Sequence, residues 1–87
     1  MKTSRIKLGG SVRQRIARNL KRLRLAQGLS QEKTAELADF HRTYVSQLER
    51  CVTNISVDGL ERLAHALGVD VTELLSPIET EWNESTE

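Results

Sequence analysis

Leu60, Leu63, Ala64 and Leu67 stand at i, i+3, i+4 and i+7, and Gly68 follows at once. That spacing places four apolar side chains on one face of a helix with a built-in stop. The same pattern recurs along the chain. Val12, Ile16, Leu20 and Leu23 predict a first helix from Ser11 to Gln27, with Ser11 as N-cap and Gly28 as a left-handed stop. A second helix starts at Ser30, with Gln31 and Glu32 in its first turn. Leu29 before it would form only a weak staple with Thr34. Asp39-Phe40-His41 interrupts the pattern, and a third helix covers Arg42 to Arg50 on Tyr44, Val45 and Leu48. Residues 51–55 read as a loop, and the fourth helix follows Ser56. A short fifth helix is capped by Asp70, with Glu73 completing a capping box; Leu74 and Leu75 turn inward and Pro77 ends it. No strand-like alternation or internal repeat interrupts this order. The chain reads as all-α, five short helices in one bundle.

Eighty-seven residues leave room for one domain. Apolar residues never run more than two together, glycine excluded, which rules out a transmembrane helix or a signal-peptide core. One cysteine and two histidines give neither an internal disulfide nor a zinc-ligand set. No Ser/His/Asp set, metal cluster or phosphate-cradling glycine loop is present, so neither an enzyme nor a cofactor is expected. The net charge of +1 conceals an asymmetry: residues 1–50 carry 12 Lys/Arg against 4 Asp/Glu, residues 51–87 carry one Arg against 8. Such a split points to one anion-seeking face, although charge alone fits a merely solvated surface equally well. Residues 1–10 read as a flexible basic arm, residues 11–76 as the folded domain and residues 77–87 as an acidic tail.

The second and third helices, joined by a short turn, have helix-turn-helix proportions. The run LSQEKTAELADFHRTYVSQLER, with NISVDGLERLAHALGVDVTELL after it, resembles the Cro/repressor-type helix-turn-helix family over about residues 12–75. HRTYVSQLER followed by NIS and LERLAHALGV is especially similar to the controller proteins of restriction–modification systems. The resemblance implies a five-helix repressor-like domain that regulates transcription by binding double-stranded DNA. It implies a cytoplasmic homodimer on a near-palindromic operator, with a controller's own promoter as one target. The alternative is an antitoxin that binds both a toxin and its operon's DNA.

The family's base-reading positions fall on Arg42, Thr43, Ser46 and Gln47. The chemistry agrees independently: Arg pairs with guanine, Gln with adenine, and the Thr methyl meets a thymine methyl. A solvated polar face is the alternative. Gln31, Arg50, Thr53 and Asn54 fall on the family's phosphate contacts. Tyr44 joins them through its hydroxyl unless it only packs; His41 joins them unless it only caps the third helix. Arg24 and Glu49 match a structural, partly buried ion pair. Val69, Val71, Leu74, Leu75 and Ile78 are expected at a dimer interface, or else closing the monomer core. In family members that also activate, acidic residues in this region can contact RNA polymerase, which the resemblance extends to Glu32 and Glu36; solvated surface is the alternative.

Three departures from the family pattern stand out. Asp39 and Cys51 occupy positions where glycine is usual. Thr34 replaces an apolar core residue beside Leu37, which predicts shifted packing of the second helix. Cys51 reads as a passive thiol.

Overall fold

A computed structural model describes residues 10–77. The expected arm, Gly10 apart, and the expected tail, Pro77 apart, lie outside the described residues, as does Ile78. The elements are α1 (Val12–Ala26), α2 (Gln31–Ala38), α3 (Arg42–Glu49), α4 (Val57–Leu67) and α5 (Val71–Leu75), with no strand among the described residues. α2 packs on α3 and α4, while α1 spans the back of the bundle against α3 and α5.

One rule ends the first four helices. Just past each helix an N–H reaches back five residues to a carbonyl of the last turn, as Leu29 to Arg24, Phe40 to Ala35, Val52 to Gln47 and Val69 to Ala64. This is the Schellman pattern, which needs a left-handed residue just before that N–H. Gly28 and Gly68 fill that place as predicted, and Asp39 (φ 62) and Cys51 (φ 63) fill it without being glycine. Each is followed by an apolar residue, the customary hydrophobic partner of such a stop. Leu29, Phe40 and Val69 pack against the core; Val52 stays 59% exposed.

The helix starts are mostly capped by side chains. Ser11, Ser30 and Ser56 each accept the N–H three residues on, and Gln14 returns the bond to Ser11 to complete a capping box. Asp70 accepts instead from the N–H and hydroxyl of Thr72. The capping box expected with Glu73 does not form, because Glu73 reaches out to Arg22 at 3.9 Å.

Leu20, Val45, Leu63 and Leu74 are fully enclosed at the centre, with Leu23, Leu48, Leu67 and the small Ala35, Ala38 and Ala64 around them. Val12, read as part of the buried face, is 58% exposed because the stripe has only reached the edge of the bundle there. α2 is not shifted. Thr34 is fully buried and its hydroxyl donates to the Ser30 carbonyl at 2.8 Å, so the core accepts a polar side chain at no unpaired cost. Leu37 stays on the surface.

Leu74 corrects another expectation. It is fully buried within one chain, so it closes the monomer core and does not lie on an interface. Asn19 holds that end of the molecule together: its amide nitrogen donates to the carbonyls of Leu74 and Ser76 at 3.1 and 3.0 Å. Arg15 donates to the Leu75 carbonyl. These bonds take up carbonyls that a five-residue helix leaves unpaired at its end.

Candidate nucleic-acid interface

α3 carries the site. Val45 and Leu48 are buried beneath it, which turns the opposite side outward. At about 100° per residue, Arg42, Thr43, Ser46 and Gln47 fall within one sector of about 140° on that outward side. Arg42 and Thr43 are exposed; Ser46 and Gln47 are half-buried. Their side chains take no hydrogen-bond partner among the described residues. A donor-rich face without internal partners is free to bond a ligand.

The position of α3 is fixed from three sides. From α1, Arg24 forms a fork with Glu49: Nε donates to Oε2 at 2.5 Å and Nη2 to Oε1 at 2.9 Å. The two side chains are only 10% and 5% exposed, which makes the expected ion pair a buried one. Burial pushes the Glu49 carboxyl up, but hydrogen bonds from Arg24 and Gln31 and the charges of Arg24 and Lys21 outweigh it, leaving it below its ordinary value. The same hydrogen bond to Glu49 raises Arg24 against the opposing effect of burial. Arg24 also donates to the Leu29 carbonyl at 3.1 Å, tying the start of α2 to the pair.

From α4, Arg62 donates to the carbonyls of Ala38 and Asp39 and lies 4.5 Å from the centre of the Phe40 ring. It thereby locks the left-handed turn between α2 and α3. Phe40 in turn meets Tyr44 edge-on at 5.0 Å. From the loop after α3, the Asn54 carbonyl accepts the Tyr44 hydroxyl at 2.7 Å. The ring of Tyr44 therefore packs while its hydroxyl binds the loop; desolvation raises its hydroxyl, and the charge of Arg62 partly opposes this.

The phosphate candidates fall around this face unevenly. Arg50 is exposed and without a side-chain partner among the described residues, and Thr53 and Asn54 border the loop. Gln31 gives one amide hydrogen to Glu49 at 3.1 Å, which leaves its second hydrogen available. His41 occupies the N-cap place of α3 but its side chain makes no capping bond, so the capping role expected of it is not observed. Glu32 and Glu36 are exposed on α2, and Lys33 pairs with Glu36 at 3.6 Å, which eases their mutual repulsion. Val69, Val71 and Leu75 are half-buried at the far end of the bundle.

Sequence reasoning missed Asn19 and Arg62. Asn19 had a signal, since it lies between Ile16 and Leu23 on the apolar stripe. Arg62 had none, because its acceptors come from a turn 23 and 24 residues away. Groups of His, Cys, Asp and Glu able to hold a metal are absent among the described residues. No helix there is long and apolar enough to cross a membrane.

The family model described as Helix-turn-helix, HTH_3, matches residues 20–74. Control protein C.BamHI of Bacillus amyloliquefaciens is 39% identical over 66 residues, which cover 75% of this chain and 82% of that protein. The restriction-modification controller protein C.AhdI from Aeromonas hydrophila superposes with a TM-score of 0.69 at 39% identity, over 71% of this chain and 94% of the other. SinR, a master regulator for biofilm formation solved in complex with DNA, superposes at 0.66 with 35% identity, over 70% of this chain and 98% of the other. With the fold, the exposed face of α3 and these relatives in agreement, the chain belongs to the helix-turn-helix family and is a DNA-binding transcription regulator, not an enzyme.

Proposed function

We propose that this chain is a controller-type regulator that reads a near-palindromic operator with α3 in the major groove. The observation that carries the reading is the partner-free face of Arg42, Thr43, Ser46 and Gln47 on a helix pinned from three sides. Base reading needs donors and acceptors that are free, and a support that does not yield when they bind. Gln31, His41, Arg50, Thr53 and Asn54 border that face and would hold the phosphates in register, with Tyr44 bracing Asn54 through its hydroxyl.

One α3 reads a few base pairs, so the protein acts as a homodimer with recognition helices about 34 Å apart. Val69, Val71, Leu75 and Ile78 are the proposed interface, with Leu74 supporting it from inside the core. C.AhdI, similar over most of its length, is a restriction-modification controller protein, and this favours control of such an operon, including the chain's own promoter. The antitoxin alternative draws no support from these relatives. The protein would work in the cytoplasm, where its DNA lies. Glu32 and Glu36 are the proposed polymerase contact; replacing both with Gln should abolish activation and spare DNA binding, and loss of both together would refute the assignment.

The test is fluorescence anisotropy on a duplex from just upstream of the gene, beside a scrambled duplex, across a salt series. Binding at about 150 mM salt that exceeds the scrambled duplex by about 10³ or more establishes operator recognition. Equal, salt-labile binding to both overturns it. Sedimentation at micromolar concentration tests the dimer.

A further inference from the structure

Arg13 stands in the first turn of α1, outside every role described so far. Its guanidinium reaches across to the loop after α3, where Nη2 donates to Asn54 Oδ1 at 2.6 Å. The Asn54 carbonyl accepts the Tyr44 hydroxyl. One loop residue therefore ties the start of α1 to the recognition helix, although Arg13 and Asn54 are 41 residues apart. Arg13 is exposed and forms no ion pair among the described residues. Only one of its five N–H groups is used, and the Asn54 side-chain nitrogen is unused as well.

The surroundings matter. A groove of about 220 Å³ runs beside the pair, walled by Val12, Ile16, Leu48 and Ile55. The guanidinium thus borders an apolar wall on one side and open water on the other, where a phosphate can reach it. No carboxylate of the described residues satisfies it. A planar fork of N–H donors that is held in place, charged and unneutralised suits a tetrahedral phosphate oxygen pair. It also sits at the rim already occupied by Tyr44, Thr53 and Asn54.

We propose that Arg13, positioned by Asn54, is a clamp for a DNA backbone phosphate and extends the interface from α3 to the first turn of α1. This rests on the DNA-binding reading. The clamp adds affinity without adding sequence preference, because phosphates carry no sequence.

The experiment compares wild type with Arg13→Ala, Arg13→Lys and Arg22→Ala on the upstream duplex and on a scrambled duplex of equal length, over a salt series. Arg22 is an internal control, since it faces Glu73 on α5. Circular dichroism melts confirm that all variants are folded. Loss of one phosphate contact should reduce the slope of log K against log salt by about 0.9 per bound chain. Arg13→Ala should show this reduction on both duplexes, with the ratio between them unchanged. Arg13→Lys, which keeps the charge, should restore the slope, and Arg22→Ala should leave it alone. An unchanged slope for Arg13→Ala overturns the clamp. So does a loss confined to the upstream duplex, or an equal loss with Arg22→Ala. Wild-type protein that binds both duplexes equally defeats the operator reading yet still tests the clamp on the scrambled DNA; wild type that binds neither overturns both.

Discussion

Glu49→Ala should remove a large part of the stability of this domain. Glu49 meets Arg24 in a two-pronged pair whose side chains are 5% and 10% exposed, and it also accepts from Gln31. Without it, Arg24 stays buried with the Leu29 carbonyl as its remaining acceptor. Stranding one charge of a buried pair costs about 3–5 kcal/mol. A domain of this length has a total stability of about 4–13 kcal/mol. One kcal/mol shifts the melting temperature of so small a domain by about 4–8 °C. The expected fall is therefore at least about 12 °C, read by circular dichroism on heating. The double variant Arg24→Met with Glu49→Leu should recover much of the loss, because two apolar side chains leave no charge behind. Acid gives an independent reading. The folded Glu49 carboxyl lies below its ordinary value, so its contribution is complete above the unfolded pKa of about 4.3 and is lost as pH falls through the lower folded value. Glu49→Gln should flatten that acid limb. A Glu49→Ala melt within about 4 °C of wild type would refute the reasoning, since that is the size of an exposed pair.

Leu74→Ala should cost about 2–5 kcal/mol in a denaturant titration and do so independently of protein concentration, because the side chain closes the monomer core; a loss seen only on dilution would return Leu74 to an interface. Cys51→Gly should stabilise by up to about 1 kcal/mol, since its left-handed φ of 63° strains a side chain that glycine lacks. A lower melting temperature for Cys51→Gly would show that its side-chain packing outweighs the strain.

Most of the architecture is legible in the sequence for a local reason. A Schellman stop needs only a left-handed residue and an apolar one after it, so Gly28-Leu29 and Gly68-Val69 announce themselves. Asp39-Phe40 and Cys51-Val52 obey the same rule with residues that do not advertise it, and there the family likeness supplied the turn. Serine caps are equally local. The failures share a different cause. Whether Val12 is covered, whether Leu74 faces inward and whether Glu73 turns back to Asp70 or out to Arg22 depend on what the rest of the chain brings near. The site divides in the same way. Arg42, Thr43, Ser46 and Gln47 share a face by helical period alone, whereas the supports from Arg62 and Asn54 come from residues distant in the chain.

If the outward face of α3 reads bases, a single-base-pair scan will show which ones. Each base pair of the bound duplex would be changed in turn, and the affinities of wild type and Arg42→Ala measured at fixed salt. Arg42→Ala should lose about 1–3 kcal/mol on the intact site. It should also become indifferent to one G·C pair per half-site while still discriminating at the others. A uniform loss over every duplex, with the pattern of preferences unchanged, would show that Arg42 only holds the backbone and that the sequence is read elsewhere.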